Sequence, residues 1–492
     1  MDLWARLKAF LLVNQGWKQI VVKNTIWTSI AEGVVRLLRL GLILLVVRYF
    51  GPTEYGKFAF AFSFAAMFGV IFDSGLVMAA TREFAVDRDN EQFLPDIILM
   101  RFGLGLVGMT AIGLGMLWMT DDITVRTMML VLGVYLFIAE LLNLSFAIVR
   151  ARQKMEYECL IRVIHTLLLL AGVGLVLWKD PSVMMVSFAY LGSAVLTVAI
   201  IGVVLRRRLG EFRFQLRWDV WKRLLQIGFP LALAGGMGAV YMNVDSVMLG
   251  YWGQMTETGW YNAAAKVNGI MTVPMSLLAL VAFPAFVSTA GCVDETFQKR
   301  WDKWTLAMVG LGGFVACLVL ATADQMIEIA FGEAFRPASL ALQILILTAA
   351  LMYMYMPSYQ ALIMFDQQTR LFWCLALGAL VNVLLNVLLI PRFSLYGAAW
   401  ATVITHVIIL LQVFWFAGKY TPIQPVSRSL LSAIIMAVVA GIVSYGAMVS
   451  SGTGVWLMIP LGTVLFLGTF ALLAMRRNAV AARTRLSVIR EA

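Results

Sequence analysis

The stretch VVRYFGPTEYGKFAFAFSFAA (Val46–Ala66) sets a polar Gly–Pro elbow between two long apolar runs. Gly and Pro punctuate helical patterns, so this reads as a tight connection between two buried helices. Much later, VMLGYWGQMTETGWYNAAAKV (Val247–Val267) repeats the form, with Gly253, Glu257, Gly259 and Tyr261 standing for Gly51, Glu54, Gly56 and Phe58. One elbow built twice, at the same place in two halves, points to an internal duplication.

The composition agrees with buried helices. The chain has 492 residues, 61% hydrophobic and 13% charged, where soluble domains average about 25% charged. Crossing about 30 Å of hydrocarbon takes roughly 20 helical residues. Inside lipid only helices or closed barrels satisfy their own backbone. A barrel strand would alternate, and runs such as LGLILLVV and TVLFLGTFALLA do not. The reading is an all-α polytopic membrane protein of fourteen spans: 25–47, 58–80, 97–119, 127–149, 161–178, 183–205, 227–249, 260–283, 305–323, 338–364, 371–390, 395–417, 429–449 and 454–475.

Charge orients them. With a cytoplasmic N-terminus, 28 of the 38 Lys and Arg fall on inner segments and six on outer ones, with four inside spans. That asymmetry follows the positive-inside rule and places both termini in the cytoplasm. The net charge of +11 is thereby assigned to topology and anionic headgroups, not to nucleic acid. The first apolar run, AFLLV, is too short for a cleavable signal. Residues 1–20 are expected to form an amphipathic helix on the inner leaflet. The four cysteines (159, 292, 317 and 374) lie inside or within the membrane on this topology, so neither a disulfide nor a metal site is expected.

The basic loop Arg206–Arg223 divides six spans from eight. The expected organisation is a six-helix bundle over 1–208, a second over 209–417, two further helices over 418–475 and a basic tail, 476–492. Paired six-span repeats are a transporter device, with substrate held between them at mid-membrane. The longest outer loop, Ala323–Arg336, has fourteen residues and offers no external domain for a soluble active site. No phosphate-binding G-x-x-x-x-G-K-[ST] loop and no H-E-x-x-H occurs, and the two histidines, His165 and His406, sit in separate spans. A cofactor is not expected, and neither is an enzyme.

Ionisable residues inside spans cost a few kcal/mol each on insertion scales and are therefore functional candidates. In AEGVVRLLRLG, Glu32, Arg36 and Arg39 share one helical face, with Glu32 spaced to pair with Arg36. That face either lines a central cavity, leaving Arg39 for an anionic ligand, or holds the first span against its neighbours. Arg101 either faces the cavity or snorkels to the interface. Lys266, beside Ala263–Ala265, either faces the cavity or bonds a carbonyl or Asp245. Asp73, Glu140, Asp245 and Glu32 are ion-coupling candidates, because low dielectric favours a protonated acid, or else partners for the in-span bases. Pro230, Gly235, Gly236, Pro274 and Pro357 are hinge candidates, since Pro and clustered Gly bend membrane helices.

Three segments resemble a known family: NTIW…VVRYFGPTEYGKFAFAF…FDSGL…TREFA (Asn24–Ala85), GFPLAL…NVDSVMLGYWG…TGWYNAAAKV…P (Gly228–Pro274) and LIPRFSLYGAAWATVITH (Leu389–His406). They are similar to the polysaccharide, or O-antigen, flippases of the multidrug/oligosaccharidyl-lipid/polysaccharide exporter superfamily. The resemblance implies two pseudo-symmetric six-helix bundles around a central cavity plus two C-terminal helices, in a bacterial inner membrane. It implies alternating access that moves an undecaprenyl-diphosphate-linked oligosaccharide between leaflets. Arg36, Arg39, Lys266 and Arg101 would meet diphosphate or acidic sugar, because Arg presents forked donors to phosphate and Lys a point charge. In the related lipid II flippases a span-1 arginine precedes that of an R-x-F-G turn by twelve residues, as Arg36 precedes Arg48. Their span-8 arginine follows Y-Y-A-D; here YNAAAK puts Lys266 at that place, without the acid. Expected partners are the polyprenyl-diphosphate glycan, membrane lipids, H+ or Na+, and a polysaccharide polymerase or assembly protein; nothing requires more than a monomer. The alternatives are a cation-coupled multidrug exporter, whose cavity should be acidic, a lipid II-type flippase, and a membrane polymerase, which needs larger outer loops.

Overall fold

The computed structural model describes residues 16–86, 93–209, 217–291, 293–450 and 459–473. The expected inner-leaflet segment 1–20, except its end, lies outside them, as do Cys292, much of the basic loop and the tail. The described residues form helices and no strand: α1 Trp17–Met67, α2 Gly69–Asp73, α3 Leu76–Val86, α4 Leu94–Met119, α5 Ile123–Ala151, α6 Met155–Lys179 and α7 Val183–Leu209. After the basic loop come α8 Trp218–Tyr251, α9 Met255–Met271, α10 Val273–Val287, α11 Glu295–Phe331, α12 Ala338–Met364, α13 Gln368–Tyr420, α14 Arg428–Ser450 and α15 Ile459–Leu473. The described part of each of the fourteen expected spans is helical, apart from turns at 68 and 74–75 in the second and at 272 in the eighth. Nine of the described helical stretches are long and apolar enough to cross a membrane, one of which, Gln368–Tyr420, contains two expected spans.

α1 runs through the first elbow with a single non-helical residue, Gly51, at φ 72°. The second elbow turns at Gly253, φ 75°. Both need a residue without Cβ to occupy this left-handed region cheaply. The two elbows also dock on each other. A Cβ on Gly56 would run into the Met255 carbonyl, and one on Gly259 into that of Pro52. Thr53 Oγ1 and Thr256 Oγ1 lie 2.8 Å apart between them, 203 positions apart in sequence. The same offset relates Gly56 to Gly259 and Pro52 to Met255, so the contact is a local two-fold made by the repeat itself.

The chain packs as two units, 1–259 and 260–492. This divides it after α8, beyond the basic loop where the sequence repeat divides. In the first unit α1 packs on α5, α6 and α8, and α7 packs on α5 and α6. The start of α8 is tied down at the basic end: Trp221 Nε1 donates to the Asp96 carbonyl at 3.2 Å, and Arg223 pairs with Glu83 at 3.1 Å. Val220 and Leu224 bury there among Leu76, Ala80, Phe84, Ile97 and Leu144. In the second unit α12 lies between α11 and α13, and α14 packs on α11. Gly310 admits the Phe470 ring, and Gly313 admits Ala437 and Phe466, so α14 and α15 both seat against α11. Asp294 caps α11 by accepting the Phe297 N–H at 2.7 Å, which holds its carboxyl below the ordinary range.

The second and eighth spans are broken, unlike the expectation for the second. It stops at Phe68 and again at Ser74–Gly75, φ 45° and 69°. The eighth breaks at Thr272, ahead of Pro274. Pro230, Gly235 and Gly236 instead lie within the helical span of α8, and Pro357 within α12. Gly236 has a packing role, since its Cβ would come 2.8 Å from Val70.

Gly56→Leu is expected to force the elbows apart at an overpacking cost of about 1–3 kcal/mol, read as a lower unfolding midpoint in detergent. Gly41→Leu, where nothing lies within 4 Å, should leave the midpoint nearly unchanged.

Candidate functional site

The break after α2 builds a charge cluster. Five residues of helix end at Asp73, where Ser74 adopts the left-handed region, and this brings both the Asp73 carbonyl and its carboxylate to Arg101 on α4. Arg101 is fully buried. Its Nη2 donates to Asp73 Oδ1 at 3.0 Å and to Asp73 O at 3.2 Å. Its Nη1 donates to the Glu140 carbonyl on α5 and stands 3.7 Å from Glu140 Oε2. Glu140 Oε1 also accepts from Asn143 Nδ2 at 3.3 Å. Gly105 and Gly108, along α4 from Arg101, let Phe137 and Phe72 close over the helix, with their rings 5.8 Å apart. Three of the in-span candidates are therefore one cluster, and Arg101 is enclosed by carboxylates and carbonyls.

The first-span face is different. Arg36 Nε donates to Glu32 Oε1 at 2.8 Å, and the two side chains remain 52% and 41% exposed. Arg39 is exposed, within electrostatic reach of Tyr135, Tyr190 and His165. Among the described residues no carboxylate pairs with it. Glu32 turns towards a second base as well, Arg162 on α6, at 3.7 Å.

Lys266 is exposed on α9 in the second unit, and Asp245 is buried on α8 in the first. The two histidines link neighbouring helices: His165 Nδ1 lies 3.2 Å from Thr197 Oγ1, and His406 Nδ1 lies 3.3 Å from the Tyr355 hydroxyl. Cys159, Cys317 and Cys374 are buried free thiols. Among the described residues no three His, Cys, Asp or Glu converge to hold a metal ion.

Several charged residues lay outside the sequence reading. Lys23 is fully buried and pairs with Glu156 at 3.0 Å, while Asn24 of the NTIW motif donates to Gln153 Oε1 at 2.9 Å. Arg150 holds Glu158 through Nε and Nη2 at 2.8 and 2.7 Å, and Arg162 holds the same carboxylate at 2.7 Å. The expected spans 127–149 and 161–178 leave 150–160 as a connection, whereas the turn between α5 and α6 covers only 152–154 and these side chains belong to helix ends. The available signal was the Glu158–Arg162 spacing of four, an intrahelical pair.

Helical spans, paired in-membrane charges and a duplicated elbow define a multi-pass membrane protein with a transporter-type fold. Residues 21–290, more than half of the chain, match the family described as polysaccharide biosynthesis protein, and the chain belongs to that family. An uncharacterized membrane protein of Methanocaldococcus jannaschii is 22% identical over 329 residues, 64% of each chain. The chain thus spans under two thirds of that relative's length. Among solved structures, the lipid II flippase MurJ in an inward closed conformation is similar at a TM-score of 0.75 and 16% identity, covering 92% of this chain and all of that one. An inward-facing multidrug resistance MATE family transporter of the MOP superfamily follows at 0.57 and 16%, covering 85% and 98%. A MOP superfamily transporter from Pyrococcus furiosus stands at 0.53 and 17%, covering 84% and 97%. The fold is that of the MOP superfamily.

Removing one partner of a buried charge group strands the others, at about 3–5 kcal/mol. Arg101→Gln should therefore destabilise the protein by about that amount in denaturant titrations. Adding Asp73→Asn and Glu140→Gln should recover much of the loss.

Proposed function

We propose that the protein is a MOP-type flippase that carries a lipid-linked oligosaccharide, joined through a diphosphate to a polyprenyl carrier, across the membrane by alternating access. The observation that carries this reading is the first-span face, where Arg36 is only half enclosed by Glu32 and Arg39 remains exposed on a helix whose other exposed residues are largely apolar, Ile30, Leu37 and Leu45 among them. Placing guanidiniums there costs free energy unless an anionic partner arrives, and a diphosphate suits their paired N–H donors. Lys266, the in-span base of the second half of the repeat, is the further cation singled out by the sequence. Family membership supports polysaccharide export, and the fold supports a rocking carrier with no ATP site.

Arg101 takes a structural and coupling part in this reading, because its two Nη groups are already committed to Asp73 and Glu140. Two carboxylates face that one guanidinium, which leaves a net negative charge to attract a coupling cation. Asp245 is the further coupling candidate. The driving force is then a cation gradient. Both termini face the cytoplasm on the charge distribution of the loops.

The test is leaflet exchange of labelled polyprenyl-diphosphate oligosaccharide in proteoliposomes. The triple variant Arg36→Ala, Arg39→Ala, Lys266→Ala should slow exchange by at least about 100-fold, the equivalent of about 2.7 kcal/mol of lost ligand contacts. Wild-type rates in that variant would contradict the phosphate reading. Export of small organic cations with no lipid exchange would favour a multidrug exporter instead.

A further inference from the structure

A cavity of about 260 Å³ opens in the first unit between α1, α5 and α6, lined in part by Thr28, Glu32, Arg150, Glu158 and Arg162. Its charges form an alternating ladder. Arg150 and Arg162 grip Glu158 from two sides, Arg162 faces Glu32, and Glu32 holds Arg36. The ladder begins and ends on a cation, so three guanidiniums stand against two carboxylates.

Its rungs are unequal. Four of the polar contacts are 2.7–2.8 Å, whereas Arg162 Nη1 to Glu32 Oε2 is 3.7 Å. That is beyond hydrogen-bond reach. The open rung falls at the cavity, where both side chains are also reachable, 36% and 41% exposed, while Glu158 is only 9% exposed. Arg162 has five N–H donors and commits Nη2 to Glu158. Its Nη1 is turned toward Glu32 across the open rung. An anion entering here would meet Arg162 at the one rung of the ladder that is not closed by a hydrogen bond.

The location suggests which anion. Arg150 ends α5, and Glu158 and Arg162 lie in the first turns of α6, beside the short turn that carries Arg152 and Lys154. The cavity therefore lies near a helix end on the side of the basic loops, at the depth of lipid headgroups rather than mid-membrane. Its volume exceeds that of a few waters at about 30 Å³ each and accommodates a phosphate with its ester substituents.

We propose that this cavity is an anion site for the phosphate group of a membrane lipid, held by Arg162 and Arg150 with Glu32 displaced toward Arg36. It adjoins Arg36 through Glu32, and it stands on the cavity's own geometry whether or not the protein flips a glycan. Either a polyprenyl diphosphate or an ordinary anionic phospholipid carries the required group.

The experiment is lipid binding to the purified full-length protein, counted by native mass spectrometry in separate titrations with a polyprenyl diphosphate, phosphatidylglycerol and inorganic pyrophosphate. Arg162→Gln should weaken lipid-phosphate binding by about tenfold or more, the loss of one forked guanidinium contact. Arg162→Lys should restore part of it. Thr28 is exposed at the cavity, so Thr28→Phe should block binding while leaving the ladder intact, which guards against a misfolded Arg162 variant. Arg126→Gln, at the other end of α5, should bind as wild type. Selective loss with the polyprenyl lipid alone identifies the carrier as ligand, and loss with both lipids identifies a general headgroup site; each supports the proposal. Affinities for both lipids unchanged by Arg162→Gln and Thr28→Phe, binding by pyrophosphate alone, or no binding by any probe would overturn it.

Discussion

A charge inside a membrane helix must find a partner, and the neighbourhood of Arg101 is arranged around that requirement. No water reaches this guanidinium, so it takes up the carboxylate of Asp73, the carbonyls of Asp73 and Glu140, and the Glu140 carboxylate. Those contacts join α2, α4 and α5. They also account for a helix that ends after five residues, since the break at Ser74–Gly75 is what lets Asp73 present two oxygens at once. A continuous helix would commit the Asp73 carbonyl to its own ladder. The same break brings Gly75 against the backbone of Gly228, where a Cβ on either residue would collide. Charge pairing, backbone conformation and close packing thus meet at one short segment.

The first-span face obeys the same rule less completely. Glu32 neutralises Arg36 in part and leans toward Arg162, while Arg39 has no carboxylate among the described residues. The contrast with Arg101 separates two kinds of in-membrane cation. One is consumed by the fold, and the other is kept accessible at a cost that only a ligand, water or lipid headgroup offsets. Similar logic governs the elbows, where Gly56 and Gly259 are small because another backbone occupies the space a side chain would need.

Much of this was legible in the sequence. Apolar blocks of bilayer length placed all fourteen spans, because hydropathy is a local property and lipid enforces it strongly. The Gly51 and Gly253 elbows were legible as well, because a turn that needs a positive φ leaves a residue signature. The i,i+4 pairing of Glu32 with Arg36 followed from helical spacing. The union of Arg101 with Asp73 and Glu140 was not visible, since it joins three helices through contacts with no sequence periodicity. Nor was the break in the second span, which has no proline and whose only mark is the Asp73–Ser74–Gly75 turn pattern. Arg150, Glu158 and Arg162 were hidden because a cluster of basic residues between spans reads as loop, while the helices in fact extend through it. The close approach of Gly236 to Val70 was not legible either, since it depends on a neighbour far away in the chain.

The central claim is that accessible cations on the first span exist to meet a lipid-borne phosphate. The most direct measurement is an experimental structure of the protein in a bilayer mimic with polyprenyl-diphosphate oligosaccharide bound. Phosphate density in contact with the Arg36 and Arg39 guanidiniums, with Arg101 still enclosed by Asp73 and Glu140, is the expected result. Bound lipid whose phosphates lie away from both arginines, or engage Arg101 in place of its carboxylates, would contradict the claim.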